Sequence, residues 1–185
     1  MNAKEVALCS VFTALAIALD RFRIPLGPVS FYFWEIPIVI ALLLFGFKFG
    51  FSVAALSAFG SALIFPRAYG MLFPIWNLIA MSTVLVAVSL VQRLITWRVS
   101  RTSEVKPFRI KPVIYFTAAA MAIRLAAMPF VNYFMYKFMM PIMVGPSFTD
   151  AAIMALIPGL LVFDAVLVLY TFQQATLLLR QLVRI

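Results

Sequence analysis

Residues 151–178 read AAIMALIPGLLVFDAVLVLYTFQQATLL, and Asp164 is the only charged side chain in this stretch. About 20 apolar residues in a helix, rising about 1.5 Å each, cross the hydrocarbon core of a bilayer. The stretch is therefore long enough to span a membrane, with a surplus that can form a short separate helix outside it. It predicts an integral membrane protein, and the remainder of the chain has the same character.

The composition of the whole chain fits a lipid environment. Of 185 residues, 65% are hydrophobic and 11% are charged, whereas a soluble domain carries roughly 25% charged residues. Fifteen Lys and Arg residues stand against six Asp and Glu residues, for a net charge of +9. Cationic residues collect on the cytoplasmic side of membrane proteins. We therefore interpret the charge as a sign of membrane orientation and expect no nucleic-acid partner.

Charged residues, prolines and glycines mark the ends of further hydrophobic runs. We predict one all-α membrane domain over residues 1–185, with a tight turn at 46–50 and a basic linker at 93–111. A polar loop is predicted before the last helix. The first run lacks a clear cleavage site, so we interpret it as a retained helix rather than a signal peptide. The six predicted transmembrane helices cover residues 3–19, 32–45, 51–65, 72–92, 112–136 and 151–178.

The distribution of Lys and Arg over the loops sets the expected orientation. With the N-terminus in the cytoplasm, ten basic residues lie on the inner side and four on the outer side. The linker at 93–111 supplies six of the ten. Both termini are therefore predicted to be cytoplasmic, in a multi-pass protein of the cell membrane.

Several classes of catalytic and metal chemistry lack the residues that they need in this chain. It has no histidine, which excludes a His-dependent triad and a Cys/His metal site. The phosphate-binding pattern G-x-x-x-x-G-K-[ST] is absent, and the only cysteine is Cys9, which we interpret as a packing residue. The six acidic residues are scattered along the chain. We predict a protein that is not an enzyme and carries no cofactor or metal ion.

Two ionisable residues lie at similar depth inside predicted spans. Arg124 is about 12 residues into the fifth span, and Asp164 is about 13 residues into the sixth, which enters from the other side. Ionisable groups inside a membrane are costly and often mark ligand or ion paths. Either the two form an ion pair that holds two helices together, or at least one of them binds a ligand. Both interpretations stay open.

Two amides lie beside aromatic residues near the outer ends of the fourth and fifth spans. Asn77 follows Trp76, and Asn132 precedes Tyr133. Flat aromatic walls with a few amides suit a planar ligand with polar edges. The alternative is an interfacial aromatic belt with amides that cap or join helices. Glu35, at the start of the second span, is interpreted as a residue that caps the helix or fixes its loop.

The first helix has a stripe of small residues on one face, because Ser10, Ala14 and Ala18 recur at every fourth position. Such a stripe lets another helix approach closely. The partner can be another helix of this chain or a different subunit.

Four parts of the chain form a recognisable layout: WEIPIVIALLLFGFKFG at 34–50, GMLFPIWNLIAMSTVL at 70–85, Asn132-Tyr133, and PSFTDAAIMALIPGLLVFDAVLVL at 146–169. This layout resembles the substrate-binding S components of energy-coupling factor (ECF) vitamin transporters. The resemblance extends over most of the chain. The Asn-Tyr pair and the proline before the sixth helix are most similar to the riboflavin-specific member of that family.

The resemblance implies a six-helix subunit that captures a vitamin, riboflavin above all, at the extracellular side for uptake. Helices four to six would hold the ligand beneath the loop at 20–32. The subunit would dock on a membrane coupling subunit driven by two ATPase subunits, through the face of Ser10, Ala14 and Ala18. The candidate ligand-binding residues are Trp76, Asn77, Arg124, Asn132, Tyr133 and Asp164.

Two residues depart from the riboflavin-specific pattern. Asp164 stands where riboflavin binders similar to this chain carry a lysine, and Arg124 is not part of the pattern. A reversed charge at ligand depth changes which polar edge is recognised. Thiamin, pantothenate or a queuosine precursor are therefore alternative ligands. Two other classes compete with transport: a small membrane enzyme acting on lipid, which would need clustered acids or a nucleophile, and a structural or regulatory subunit, which predicts no ligand pocket.

Overall fold

Helices carry almost all of the residues that the computed structural model describes, namely 3–26, 29–65, 72–99, 110–144 and 148–183. The elements in chain order are α1 (Ala3–Asp20), β1 (Arg23–Leu26), β2 (Val29–Tyr32), α2 (Glu35–Phe45), α3 (Phe47–Ile64), α4 (Leu72–Val99), α5 (Ile110–Phe134), a π-helical turn (Met135–Met139), α6 (Met140–Val144) and α7 (Asp150–Val183). Because α5, the π turn and α6 follow one another without a break, the described chain forms six helical rods. The prediction of an all-helical chain is confirmed, with one short hairpin added.

In the described part of the chain, four helices are long and apolar enough to cross a membrane. They contain the segments Phe47–Ile64, Phe73–Leu94, Val113–Ile142 and Asp150–Gln181. The apolar α2 has 11 residues, which correspond to a length of about 16 Å. The 18 residues of α1 include three charged side chains. A total of six spans therefore remains a prediction for this chain.

Several helix ends differ from the predicted bounds. The last helix, α7, is continuous to Val183, five residues beyond the predicted end at 178, and its surplus length forms no separate short helix in the described chain. Tyr32 belongs to β2, and α2 begins only at Glu35. The predicted turn at 46–50 is reduced to Gly46, whose φ of +86° is a backbone conformation that glycine adopts without strain. Because that single residue reverses the chain, α3 begins at Phe47. At its C-terminal end, α4 continues to Val99, beyond the predicted start of the linker at residue 93.

Residues 100–109 of the predicted linker lie outside the described part of the chain. The polar loop predicted before the last helix is also shorter than expected, because helix continues through the π turn to Val144. In a regular α-helix, the ring of Pro141 would clash with the carbonyl of Lys137, four residues earlier. Lys137 lies in the π turn, whose wider backbone gives room for that ring. Residues 145–147 of that loop lie outside the description as well.

The short helix α2 forms the centre of the bundle. It is buried at eight consecutive positions, 35–42, and packs against α1, α3 and α7. A helix that is apolar on all sides belongs in such a central position, because every face must be covered. The remaining core residues are Trp34, just before α2, and residues of α1, α3, α4, α5 and α7. They include Cys9, which we interpreted as a packing residue.

The segment predicted as a loop between α1 and α2 contains an antiparallel hairpin. Arg23 pairs with Tyr32 and Leu26 with Val29, while residues 27–28 lie outside the described chain. The ring of Phe31, on β2, lies 4.8 Å from that of Tyr170 and 6.2 Å from that of Phe163. The hairpin is therefore packed on α7 through aromatic side chains.

A substitution at Gly50 tests the close approach of α2 and α3. A Cβ added there would lie 2.9 Å from the Leu42 Cβ and 3.1 Å from its backbone Cα. We expect Gly50→Ala to lower the free energy of unfolding by about 1–3 kcal/mol, because overpacking against backbone cannot be relieved by a rotamer change. Thermal unfolding in detergent measures the effect. The matched control is Gly159→Ala, where the added Cβ meets nothing within 4 Å; equal losses at both positions would contradict the close approach.

Candidate ligand-binding cavity

A cavity of about 300 Å³ lies between the hairpin, α2, α4, α5, α6 and α7. Pockets for small molecules occupy about 300–1,000 Å³, so this one suits a small ligand. The residues that line it are Tyr32, Trp34, Glu35, Phe73, Trp76, Asn77, Ala80, Arg124, Met128, Asn132, Tyr136, Met140, Leu160, Phe163, Asp164 and Leu167.

The lining residues recur at helical spacing on three of the helices. On α4 they are residues 73, 76, 77 and 80, and on α7 they are residues 160, 163, 164 and 167. Positions three, four and seven apart lie on one face of an α-helix. Along α5, the π turn and α6 they are residues 124, 128, 132, 136 and 140. Each of these helices therefore turns one continuous face towards the cavity.

Five of the six residues predicted to bind a ligand line this cavity. They are Trp76, Asn77, Arg124, Asn132 and Asp164. The sixth, Tyr133, is not among the lining residues. Its hydroxyl donates a hydrogen bond to Asp150 Oδ1 at 3.2 Å, on the exterior of the bundle. The tyrosine that does line the cavity is Tyr136, one helical turn after Asn132.

Arg124 joins two carboxylates at the cavity wall. Its Nε lies 2.8 Å from Asp164 Oδ1, and its Nη1 lies 3.1 Å from Glu35 Oε1 and 3.2 Å from Oε2. The three side chains are almost completely buried. The arrangement links α2, α5 and α7 at a depth where unpaired charge is very costly. The predicted ion pair between Arg124 and Asp164 is therefore present. Because both residues also line the cavity, a role in ligand binding stays a prediction.

Glu35 is a member of this buried ionic cluster, whereas its position in the sequence suggested a helix cap or a residue that fixes the loop. It begins α2, but its side chain makes no cap hydrogen bond with that helix among the described contacts. Instead it is 3% exposed and faces Arg124. The only local feature of Glu35 in the sequence is its position at the start of an apolar run. A helix cap and a buried ion-pair partner both occur in that position, so the sequence does not distinguish them.

An amide and an indole form a second polar group of the cavity. The Trp76 Nε1–H donates a hydrogen bond of 3.1 Å to Asn132 Oδ1. The Trp76 ring also meets the ring of Tyr136 edge to face, with 5.4 Å between centroids. Asn132 is 3% exposed and lines the cavity. This bond fixes α4 against α5 and orients the amide.

Aromatic side chains supply most of the remaining wall, from Tyr32, Trp34, Phe73, Trp76, Tyr136 and Phe163. The rings of Tyr32 and Phe73 are 6.2 Å apart and bring the hairpin against α4. Flat walls with a few fixed amides and charges bind a ring compound by its faces and recognise it by its edges.

The stripe predicted to dock a partner lies on the outer surface of α1. Ser10, Ala14 and Ala18 are all exposed, and Ser10 bonds only to the carbonyl of Val6 on its own helix among the described contacts. Cys9 and Ala16 face the core instead. Within the described chain, the small-residue face is therefore not covered by another helix.

Comparison with known proteins gives a family and a fold. Residues 4–173 match the model of the family described as "ECF transporter, substrate-specific component". No curated protein sequence matches the chain significantly. A solved structure described as "Structure and mechanism of the S component of a bacterial ECF transporter" aligns with a TM-score of 0.75 and 17% sequence identity, over 98% of this chain and 96% of that chain. At this identity the likeness establishes the fold alone.

Proposed function

Because the chain belongs to the family of ECF transporter substrate-specific components, we propose that it captures the transported ligand in the cavity between α2, α4, α5 and α7. The observation that carries this proposal is the cavity itself, which combines aromatic walls with Asn77, Asn132 and a buried ionic cluster. A purely structural subunit has no need for polar side chains directed into an internal space, since such groups are costly to bury.

The ligand is proposed to be a vitamin or a vitamin precursor. The sequence resemblance to the riboflavin-specific member makes riboflavin the first candidate. Thiamin and a queuosine precursor are alternatives that also contain a flat ring, and pantothenate is an acyclic alternative. The aromatic walls support a ring compound, and the cavity of about 300 Å³ supports a small one.

The proposed setting is the cell membrane, crossed six times with both termini in the cytoplasm. The excess of Lys and Arg on the predicted inner side supports this orientation. ATP hydrolysis is assigned to two partner ATPases, which act through a membrane coupling subunit. The exposed stripe of Ser10, Ala14 and Ala18 is the proposed docking face for that subunit.

A bulky residue in the stripe is expected to separate transport from binding. Ala14→Leu places a larger side chain where a partner helix would approach, so uptake should fall at least severalfold while ligand affinity is unchanged. Uptake into cells with the complete transporter and binding to the purified subunit are the two measurements. Ala126→Leu, at an exposed position of α5, is the matched control. A loss of binding in Ala14→Leu would assign the stripe to internal packing instead.

Purification in mild detergent followed by absorbance and mass spectrometry tests the proposed function directly. High affinity goes with slow dissociation, so a captured ligand is expected to remain with the protein. We expect about one vitamin-sized molecule per chain, and a flavin spectrum if it is riboflavin. A chain that carries no ligand, and that binds none of the four candidate ligands when they are added, would favour a structural subunit.

A further inference from the structure

We infer that the ligand of this cavity is a flat ring compound that carries a positive charge, held next to the Asp164 carboxylate. The chain would then differ in specificity from the riboflavin binders that its sequence resembles, because riboflavin is neutral. The inference rests on the proposed function, because it names the chemical class of the molecule captured in the same cavity. Three observations carry it: the charges of the lining residues, the bonds that Arg124 already makes, and the polar atoms left open towards the cavity.

The charged residues that line the cavity are two acids and one base. Glu35, Arg124 and Asp164 are 3%, 3% and 5% exposed, and no other lining residue in the described chain carries a charge. With all three ionised, one negative charge has no positive partner. An uncompensated buried charge is strongly destabilising. A cationic ligand in the cavity supplies the missing partner.

Arg124 already bonds the protein through two of its three guanidinium nitrogens. Its Nε bonds Asp164 Oδ1, and its Nη1 bonds both oxygens of Glu35. An anionic ligand approaching this guanidinium would also meet the two carboxylates that bracket it, and like charges at such distances repel. The single arginine therefore serves to hold the two acids in place, and it does not make the cavity an anion site.

The polar atoms left open describe the complementary ligand. In the described part of the chain, Asp164 Oδ2 has no hydrogen-bond partner, although its residue is 5% exposed and lines the cavity. The same holds for Asn132 Nδ2, since that amide bonds Trp76 only through Oδ1. It also holds for Arg124 Nη2, since the guanidinium bonds the two acids through Nε and Nη1. A ligand with a charged donor towards Asp164 and acceptors towards Asn132 and Arg124 satisfies all three atoms.

The aromatic walls favour the same class of ligand. Trp34 and Trp76 line the cavity together with the two acids. The face of an indole attracts a cation through its quadrupole, most strongly where water is excluded. Ring stacking alone does not distinguish one flat molecule from another. The aromatic walls therefore contribute affinity, and the Asp164 carboxylate makes the cavity selective for a cation.

Three ligands of different charge test the inference, with their affinities for the full chain measured by calorimetry in detergent. Thiamin has a permanent positive charge, riboflavin is neutral and pantothenate is an anion. We expect thiamin to bind more tightly than the other two. Asp164→Asn should weaken thiamin binding by about 10- to 100-fold, because a hydrogen bond to a charged group is lost. Asp150→Asn, which changes an exposed acid outside the cavity, should leave thiamin binding unchanged.

The possible outcomes separate this inference from the proposed function. Tighter binding of riboflavin or pantothenate than of thiamin would overturn the inference and leave the proposed function intact. So would a co-purified ligand that is neutral or anionic at pH 7. If no ligand co-purifies, and neither the three probes nor the queuosine precursor binds, the proposed function fails and the inference with it. The ranking of the three probes uses the unmodified chain, so it decides the matter even if Asp164→Asn does not fold.

Discussion

Arg124→Met should be the most damaging single substitution in the chain, with an expected loss of about 3–5 kcal/mol in the free energy of unfolding. It removes the only positive charge of the buried cluster and leaves Glu35 and Asp164 facing each other without a cation. Because the methionine is close in length to the arginine stem, the loss reports charge rather than volume. Chemical unfolding in detergent, followed by circular dichroism, is the measurement.

The matched control is Lys137→Met, which removes one half of an exposed ion pair. Lys137 Nζ lies 2.6 Å from Asp150 Oδ1, a distance as short as those in the buried cluster. Its partner carboxylate is 61% exposed, and exposed pairs of this kind contribute little. We expect almost no change in stability. If both variants lost the same stability, burial would not be the source of the effect at Arg124.

The second large effect is expected on binding. Asn132→Ala should weaken ligand capture by about 10- to 100-fold, because it removes an amide of the cavity wall and also leaves the Trp76 indole N–H without its acceptor. Membrane insertion should be normal, since the helix and its apolar faces are unchanged. Calorimetry with whichever vitamin co-purifies gives the affinity.

The neighbouring tyrosine provides the control for this experiment. Tyr133→Phe removes one hydroxyl, which bonds Asp150 on the exterior of the bundle. Although Tyr133 was a sequence-based candidate, its place in the structure predicts unchanged affinity. Equal affinity of Asn132→Ala and the unmodified chain would show that this amide does not touch the ligand.

The helices were predictable because each depends on a local property of the sequence. Apolar length and the charges that interrupt it identified all six helical rods, and the resemblance identified the family that the comparison then confirmed. The ends of the helices were less predictable. Whether α3 starts at Phe47 or after Gly50 depends on the packing of Gly50 against Leu42, and such contacts between helices leave no trace in local composition.

The site was predictable in kind and incomplete in detail. Arg124 and Asp164 stood out because charge is rare in an apolar span, and both line the cavity. Tyr133 was chosen for its place next to Asn132 in the sequence, whereas neighbours on a helix face are three or four residues apart. That spacing points to Tyr136, which does line the cavity. Applied consistently to Asn132, helical periodicity would have found it.

Glu35 marks the limit of such reasoning. Its partner Arg124 is 89 residues away in the sequence and belongs to another helix. A carboxylate at the start of an apolar helix favours the positive end of the helix dipole wherever it occurs. Glu35 belongs to a buried cluster because α2 packs in the middle of the bundle. That packing cannot be read from the local sequence.

The π turn at Met135–Met139 sets the rotational phase of everything that follows it. In a regular α-helix, residues four apart drift round the axis by about 40° at each step, so a face marked at every fourth position would soon rotate away from the cavity. The wider turn rotates less per residue and returns Tyr136 and Met140 to the side of Asn132. Shortening the turn by one residue would preserve the helix and its hydrophobicity. It would nevertheless rotate Met140 out of register with Asn132, so the length of this segment, as much as its composition, shapes the cavity.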